Sequence, residues 1–242
     1  KDGTKLVGTY IPGESGTRNT VILLHGLYQN RTMCIPYANI YRRMGYNVLL
    51  ADLRGHGESE GGHTDWGIHD VEDMNAWVSL LRSKNPQMQI GFHGVSLGAA
   101  MALIYSASDE GKQMKFYVAD SSYGDLLDLG RDKLMKYTGD DRLVLGMDVL
   151  NPFFQAALYM HTGKLLSDID PVNRVQHMTS PVLFLHGAKD QLVPPEVAEL
   201  LLADSSSTNK KLYIFQGASH TMEMSANGPA YREYVTDFIK NT

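Results

Sequence analysis

Ser96 stands between Gly94 and Gly98, directly after a short apolar run and directly before an alanine-rich helical pattern. The order strand, sharp turn, helix is the context that a G-x-S-x-G nucleophile elbow requires. The flanking glycines relieve clashes where the strand and helix backbones approach each other. The spacing predicts that Ser96 is a nucleophile at a helix N-terminus, where free N–H groups favour negative charge.

Two further residues have the types that could activate this serine. A serine hydroxyl is a weak nucleophile near neutral pH, so it needs a base, and the base needs an orienting acid. His220 follows the apolar run 211–215 and Asp190 follows the apolar run 181–185. Both runs predict strands, and functional residues of parallel sheets lie just past strand ends. Asp190 and His220 are therefore the candidate acid and base.

Strands that alternate with helices along the chain predict an α/β fold with a doubly wound, mainly parallel sheet. The predicted strands cover residues 5–11, 20–24, 46–51, 115–119, 181–185 and 211–215, together with the elbow strand from Gln89. The predicted helices cover residues 32–45, 65–82, 195–203 and 229–240, together with the elbow helix. Ligands of such a sheet bind beyond the C-terminal ends of its strands.

One segment interrupts the alternation. Residues 121–170 contain no strand pattern but several helical patterns rich in leucine, methionine and phenylalanine. A structureless loop of this length is uncommon in a compact domain. The sequence predicts a small helical cap at 121–170, inserted after the strand that ends at Asp120, on a core made of residues 1–120 and 171–242.

Several separated motifs together resemble those of the α/β-hydrolase superfamily, in its serine esterase, lipase and acyl-peptidase branch. The resemblance covers nearly the whole chain and weakens across the predicted cap. The motifs are the elbow, His25-Gly26, Asp52-x-Arg54-Gly55-x-Gly57-x-Ser59, the segment from Pro181 to Asp190 with its His-Gly-x-x-Asp ending, and Gly217-x-x-His220. They occur in the family's order, with nucleophile, acid and histidine following one another along the chain.

The resemblance implies a role for each of these residues. Ser96 is implied as the nucleophile, His220 as the general base and then acid, and Asp190 as the residue that holds the imidazole. Asp120 is an alternative acid, because some family members place the acid after the earlier strand. The His-Gly-x-x-Asp context favours Asp190.

The resemblance also implies an oxyanion hole made by the backbone N–H groups of Leu27 and Leu97. Such donors suit acyl transfer, because charge develops on the carbonyl oxygen as it becomes tetrahedral. Tyr28 and His25 are candidate substrate contacts beside this hole. Tyr28 adjoins the turn, although the sequence does not fix the direction of its side chain.

Apolar side chains of the predicted cap pack mainly onto the core, and some are expected to line a pocket over Ser96. Phe153 and Phe154 are candidate substrate contacts of this kind. The cap has no arginine cluster that could clamp a carboxylate or phosphate. The sequence therefore favours a serine hydrolase that cleaves small to medium, moderately hydrophobic esters through an acyl-enzyme.

Two other functions stay open. One is an aminoacyl-peptidase or amidase of the same fold, which uses the same chemistry on another bond. The other is a non-catalytic ligand-binding protein on a hydrolase scaffold, disfavoured because all three candidate triad positions are filled. Dehalogenase chemistry is disfavoured because the elbow carries a serine at the position where dehalogenases of this fold carry an aspartate.

Composition excludes several classes of partner. The net charge of −5, without a Lys/Arg cluster, argues against a nucleic-acid partner. Cys34 is the single cysteine, which excludes an internal disulfide framework. The uninterrupted apolar runs are too short to span a bilayer, so no integral membrane segment is expected. The expected location is that of a soluble domain, cytoplasmic or tethered at the cell surface if an N-terminal segment has been removed.

No metal or cofactor is predicted. His63, Asp65 and His69 have spacings that fit no recognised metal motif, so they are interpreted as solvated polar residues. Gly55 and Gly57 superficially resemble the glycine-rich turn of a dinucleotide-binding motif, but a match of only two glycines is weak evidence for such a motif. The polar loop that contains these glycines is interpreted as a structural brace. The sequence makes no prediction of oligomeric state.

Overall fold

A seven-stranded sheet forms the centre of the chain, seen in a computed structural model that describes residues 2–242. The strands, in chain order, are β1 Gly8–Ile11, β2 Asn19–Leu24, β3 Asn47–Ala51, β4 Gln89–Val95, β5 Tyr117–Asp120, β6 Val182–Gly187 and β7 Lys210–Phe215. Their order across the sheet is β1-β3-β2-β4-β5-β6-β7. The β1–β3 pair is antiparallel and the other five pairs are parallel.

Nine α-helices occur within the described residues. They are α1 Ile35–Arg43, α2 Asp70–Lys84, α3 Leu97–Ser106, α4 Leu126–Thr138, α5 Asp141–Thr162, α6 Pro171–Val175, α7 Glu196–Asp204, α8 Glu223–Ala226 and α9 Gly228–Lys240. Short 3₁₀ turns cover Arg31–Cys34, Gly111–Gln113 and Leu166–Asp168.

The sheet carries a hydrophobic layer on each face. Successive side chains of a strand point to opposite faces, so Ile22 and Leu24 of β2 join a cluster that includes residues of α2 and α3. Val21 and Leu23 join a second cluster that includes residues of α1 and α9. Every residue of β3 is buried, as expected of a strand covered on both faces. The predicted doubly wound, mainly parallel fold is confirmed.

Two predicted helices differ from the observed ones near their N-termini. The predicted helix at 32–45 divides into a 3₁₀ turn and α1, which has a proline in its first turn. The predicted helix at 65–82 begins only at Asp70. Trp66 and Gly67 before it have φ angles of 54° and 102°, and residues in the left-handed region do not continue a right-handed helix.

The helices α4 and α5 follow β5 and precede α6, within the segment predicted as a cap. Asp125 caps the start of α4, where its carboxylate accepts from the N–H groups of Leu127 and Asp128. None of the residues in either helix is classed as buried, and the two helices contact each other. An ion pair between Arg131 of α4 and Asp148 of α5 ties them together at 2.6 Å.

The helix α5 is long and apolar enough to cross a membrane by length and composition, with a mean hydropathy of 1.3 over 18 residues. A single helix that meets this test does not establish a membrane span, so the expectation of no integral membrane segment is not overturned. In this fold α5 packs on α4, and part of its surface lines a cavity.

Candidate active site

Ser96 lies at the junction of β4 and α3, with a φ angle of 53°. Such a conformation is strained for a residue other than glycine and persists only where neighbouring structure holds it. A Cβ atom at Gly94 would overlap the carbonyl of Gly98, and one at Gly98 would overlap the carbonyl of Leu24. Glycine at both positions therefore allows the strand, the turn and the helix to meet at Ser96.

Two hydrogen bonds join the three candidate residues. The Ser96 hydroxyl lies 2.8 Å from His220 Nε2, and His220 Nδ1 lies 2.6 Å from Asp190 Oδ2. Because a carboxylate can only accept, Nδ1–H donates to Asp190, which leaves Nε2 to accept from the serine hydroxyl. The structure thus brings together residues that are 124 and 30 positions apart in the chain.

Asp190 is held as a carboxylate by its surroundings. Its other oxygen, Oδ1, accepts from the N–H groups of Leu192 and Val193 at 2.8 and 2.9 Å. Burial by itself raises the pKa of Asp190, but the hydrogen bonds from His186, His220 and Val193 outweigh it and hold the pKa below its usual value. An ionised acid of this kind can orient an imidazole and stabilise its protonated form.

Sequence reasoning missed His186 as a neighbour of the acid. Its Nε2 lies 3.2 Å from Asp190 Oδ2 and 2.9 Å from the carbonyl of Val193. Burial lowers the pKa of His186, but the bond to Asp190 and then the one to Val193 raise it, and the net shift is upward. The signal was present in the His-Gly-x-x-Asp motif, where His186 stands four residues before the acid.

Asp120, the alternative acid, lies elsewhere. It is fully buried at the end of β5 and accepts from the Tyr231 hydroxyl at 2.7 Å. Burial, and then the nearby carboxyl of Glu223, raises the pKa of Asp120 well above its usual value. His220 Nδ1 is paired with Asp190 instead.

The turn after β2 lies against the serine. A Cβ atom added to Gly26 would come within 3.4 Å of Ser96 Cβ, so the Leu27 N–H is carried by a segment in contact with the elbow. Leu97 is the first residue of α3, where N–H groups have no partner within the helix. Within residues 2–242, neither the Leu27 N–H nor the Leu97 N–H donates a hydrogen bond. Both N–H groups are therefore available as donors.

His25 and Tyr28, the two candidate contacts in this turn, differ in exposure. His25 is fully buried, its Nδ1 lies 2.8 Å from the Gly26 carbonyl, and its Nε2 accepts from the Leu53 N–H at 3.1 Å. With both ring nitrogens occupied, His25 supports the turn and does not present a polar atom to a substrate. Tyr28 has a φ angle of 58° and is 89% exposed.

An apolar cavity of about 790 Å³ lies between the α4–α5 pair and the core. Its lining is almost entirely aliphatic and aromatic, with Arg142 and Asn151 as the polar exceptions. Phe154 lines this cavity, whereas Phe153 is 72% exposed and is not part of the lining. The other lining residues include Trp66, Ile68, Leu126, Leu127, Leu134, Leu143, Met147, Leu150, Leu158, Leu166 and Ile169.

A second cavity, of about 200 Å³, has Val95 and Thr221 in its lining, the chain neighbours of Ser96 and His220. The predicted contact His25 also lines it. The remaining lining is mixed, with Gln29, Cys34, Tyr37 and Met222 among its members.

The polar residues outside this cluster have structural partners. Asp52 accepts from the N–H groups of Arg31 and Glu58 at 2.6 and 2.9 Å, which agrees with its interpretation as a loop brace. Asp65 accepts from the ring and the backbone N–H of His69 at 2.6 and 3.0 Å. In the part of the chain that the structure describes, no group of three or more acidic, histidine or cysteine residues could hold a metal ion.

Comparisons with known proteins agree with this fold. A family model described as the alpha/beta hydrolase fold matches residues 19–156, and one described as serine aminopeptidase S33 matches residues 155–225. YqkD of Bacillus subtilis (strain 168) is 31% identical over 226 residues, which cover 93% of this chain and 72% of YqkD.

Two solved structures illustrate the likeness of fold. The esterase Pf2001 of Pyrococcus furiosus has a TM-score of 0.74 at 25% identity, over 98% of this chain and 91% of that one. A monoacylglycerol lipase of Paleococcus ferrophilus has a TM-score of 0.68 at 19% identity, over 98% of this chain and all of that one. At the lower identity the likeness is one of fold alone.

Proposed function

This chain is a hydrolase that belongs to the α/β-hydrolase family, and we propose that it cleaves carboxylic esters through an acyl-enzyme formed on Ser96. The observation that carries the proposal is the continuous hydrogen-bonded line from Ser96 through His220 to Asp190. Each of the three residues stands just beyond a strand end, where ligands of parallel sheets bind. The positions match the order of nucleophile, acid and histidine in this family.

In the proposed reaction His220 Nε2 takes the proton of the Ser96 hydroxyl as the oxygen attacks the ester carbonyl carbon. The imidazolium then gives that proton to the departing alcohol, and the acyl group stays on Ser96. Water repeats the sequence, again with His220 as base, and releases the carboxylic acid. Asp190 stays ionised throughout and stabilises the imidazolium.

The developing oxyanion would be stabilised by the N–H groups of Leu27 and Leu97. Both are backbone donors carried by segments in contact with Ser96, so they need little rearrangement when charge appears on the substrate oxygen. The N-terminus of α3 adds a favourable partial positive charge at the same place. Loss of one such donor typically costs about 10²- to 10³-fold in kcat.

The apolar cavity lined by α4 and α5 is the evidence for a moderately hydrophobic substrate. We propose that residues 121–170 form a cap and that its apolar cavity, whose lining does not include Ser96, Asp190 or His220, receives an acyl or aryl group with few polar atoms. Phe154 and Trp66 are the aromatic residues that line this cavity, and Phe153 lies outside its lining.

A second candidate function is hydrolysis of aminoacyl or peptide amides. The observation in its favour is the serine aminopeptidase model that matches residues 155–225, a segment that includes Asp190 and His220. Amide and ester hydrolysis use the same nucleophile and base, so the leaving group separates them. Matched ester and aminoacyl-anilide substrates with the same acyl part should show faster cleavage of the ester if the primary proposal holds.

A fluorophosphonate probe and an ester panel test the proposed chemistry. Ser96 should be labelled covalently, and Ser96→Ala should abolish labelling and lower turnover by on the order of 10⁴- to 10⁶-fold. Ser83→Ala, at an exposed serine of α2, is the matched control and should behave as wild type. Near-normal ester turnover by Ser96→Ala would contradict the proposal, and labelling without turnover on a broad panel would favour a non-catalytic binder.

A further inference from the structure

Asp120 and Ser121, at the end of β5, contact both the turn that carries Ser96 and the turn that carries His220. The Ser96 N–H donates to the Asp120 carbonyl at 2.8 Å, which anchors the elbow. The Thr221 N–H, adjacent to His220, donates to Ser121 Oγ at 3.2 Å. One short segment therefore connects the turn that carries the hydroxyl with the turn that carries the imidazole.

The backbone at both ends of the Thr221–Ser121 bond is strained. Ser121 has a φ angle of 56° and Thr221 one of 59°. The left-handed region is unfavourable for a β-branched residue such as threonine. Strained conformations persist only where surrounding contacts determine them. The bond from Thr221 to Ser121 is a contact of this kind, one residue away from His220.

The Ser121 hydroxyl is oriented by a buried carboxyl. Its oxygen accepts from Thr221, so its single hydrogen must be donated elsewhere. Glu223 Oε1 lies 2.8 Å away and Asp120 Oδ1 lies 3.2 Å away, so Glu223 is the closer acceptor. Glu223 is the first residue of α8 and is fully buried.

The groups around Ser121 and Glu223 leave Glu223 as the acceptor of the Ser121 hydroxyl hydrogen. Tyr231 of α9 donates to Asp120, and its hydroxyl also lies 3.0 Å from His93 Nε2 of β4. Glu223 Oε1 is the nearer acceptor, at 2.8 Å against 3.2 Å for Asp120 Oδ1, so the relay runs from Glu223 through the Ser121 hydroxyl to the backbone beside His220.

We propose that Ser121 and Glu223 are positioning residues for His220, which hold its turn so that Nε2 faces the Ser96 hydroxyl. The inference rests on the proposed acyl-enzyme chemistry. Neither residue touches the reacting atoms, so each acts through the Thr221 backbone. Their loss should slow proton removal from Ser96 and leave substrate binding unchanged.

The test compares rates of fluorophosphonate labelling, which depend on the Ser96–His220 pair and not on the natural substrate. Ser121→Ala removes the acceptor of the Thr221 N–H, and Glu223→Met removes the acceptor of the Ser121 hydroxyl. Each should slow labelling by about 10- to 100-fold, since a misplacement of about 1 Å can cost about 10²-fold. Glu223→Gln keeps a carbonyl acceptor and should label at a rate close to that of the wild type.

Three further measurements separate positioning from general stability. The double variant Ser121→Ala/Glu223→Met should be no slower than Ser121→Ala alone, because the two residues act in one relay. On an ester, kcat should fall while KM stays constant. Ser180→Ala is the control: this buried serine, just before β6, donates to the Lys112 carbonyl at 3.1 Å, and its loss should leave labelling unchanged.

Folded variants, verified by circular dichroism at the assay temperature, decide the outcome. Wild-type labelling rates in Ser121→Ala and Glu223→Met would overturn the positioning role, as would a Glu223→Gln rate as low as that of Glu223→Met. If Ser121→Ala does not fold, the labelling rates of Glu223→Gln and Glu223→Met, both uncharged at this position, decide the positioning role by themselves. A wild-type protein that is not labelled at all would instead refute the proposed function.

Discussion

At the scale of single residues, replacing one carboxyl oxygen by an amide nitrogen decides whether Asp190 or Asp120 is the acid that orients His220. Asp190→Asn keeps the shape of the side chain but favours the wrong imidazole tautomer, so kcat should fall by about 10⁴-fold. Asp120→Asn should cost far less, because the Asp120 carboxyl is hydrogen-bonded to Tyr231 and His220 Nδ1 is paired with Asp190 instead. Steady-state kinetics on one ester measure both effects. A larger loss in Asp120→Asn than in Asp190→Asn would reassign the acid.

Asp190 has a second histidine beside it, His186, which a Ser-His-Asp triad alone does not include. His186 contacts the same oxygen, Oδ2, that receives the His220 N–H. The N–H groups of Leu192 and Val193 donate to the other oxygen, Oδ1, while His186 Nε2 is hydrogen-bonded to the Val193 carbonyl and stands 3.2 Å from Oδ2. Each donor favours the ionised acid, which is the form that an imidazolium needs as a partner.

At the scale of elements, α5 presents adjacent phenylalanines to different environments. Phe154 lines the apolar cavity and is 54% exposed, whereas Phe153 is outside the lining and is 72% exposed. Phe154→Ala should raise KM for esters with bulky acyl groups by about 10-fold, because a hydrophobic contact of this size contributes about 1 to 3 kcal/mol. Phe153→Ala is the matched control and should leave KM unchanged. Equal effects of the two substitutions would argue against the cavity as the acyl site.

The junction between β4 and α3 should tolerate less change than α5. Gly98→Ala places a Cβ atom against the Leu24 carbonyl, so the backbone must shift, and we expect a loss of about 1 to 3 kcal/mol of unfolding free energy. Gly146→Ala on α5 meets open space and should stabilise the protein by about 0.5 to 1 kcal/mol, because alanine is the better helix former. Urea unfolding measures both. Equal effects would show that close backbone approach does not dictate glycine at the elbow.

At the scale of the whole molecule, periodicity predicted the layers of the fold better than the ends of its helices. The apolar run of β2 identified a strand buried on both faces. The start of α2 was placed too early, because the pattern does not reveal the left-handed backbone of Trp66 and Gly67.

The candidate site was predictable where local motifs mark it. Ser96 is flanked by glycines at fixed spacing, and His220 and Asp190 follow strands, so sequence alone could nominate all three. Ser121 and Glu223 carry no motif, because their relation to His220 arises only when β5 and α8 meet in three dimensions. Such contacts depend on packing between distant segments and leave no pattern along the chain.

Two buried acids near the α4–α5 pair make the stability of the whole molecule depend on pH. Burial raises the pKa of Asp70 and of Asp170 to about 7, against an ordinary value of 3.8. Asp70 accepts from the Gly67 N–H at 2.8 Å, and Asp170 accepts from the Leu126 N–H at 3.0 Å, where the chain enters α4. Each carboxyl is therefore neutral in the folded protein at mildly acidic pH.

The direction of the pH effect follows from these raised pKa values. Between about pH 4 and 7 the unfolded chain releases protons that the folded protein keeps, so the unfolding free energy falls as pH rises. For Asp70, a rise of about three pKa units corresponds to on the order of 4 kcal/mol. Asp70→Asn should reduce this fall between about pH 4 and 7 in urea unfolding and leave the part that Asp170 contributes, while Asp109→Asn, at an exposed carboxyl, should retain all of it. A slope in Asp70→Asn equal to that of the wild type would show that Asp70 is not the group responsible.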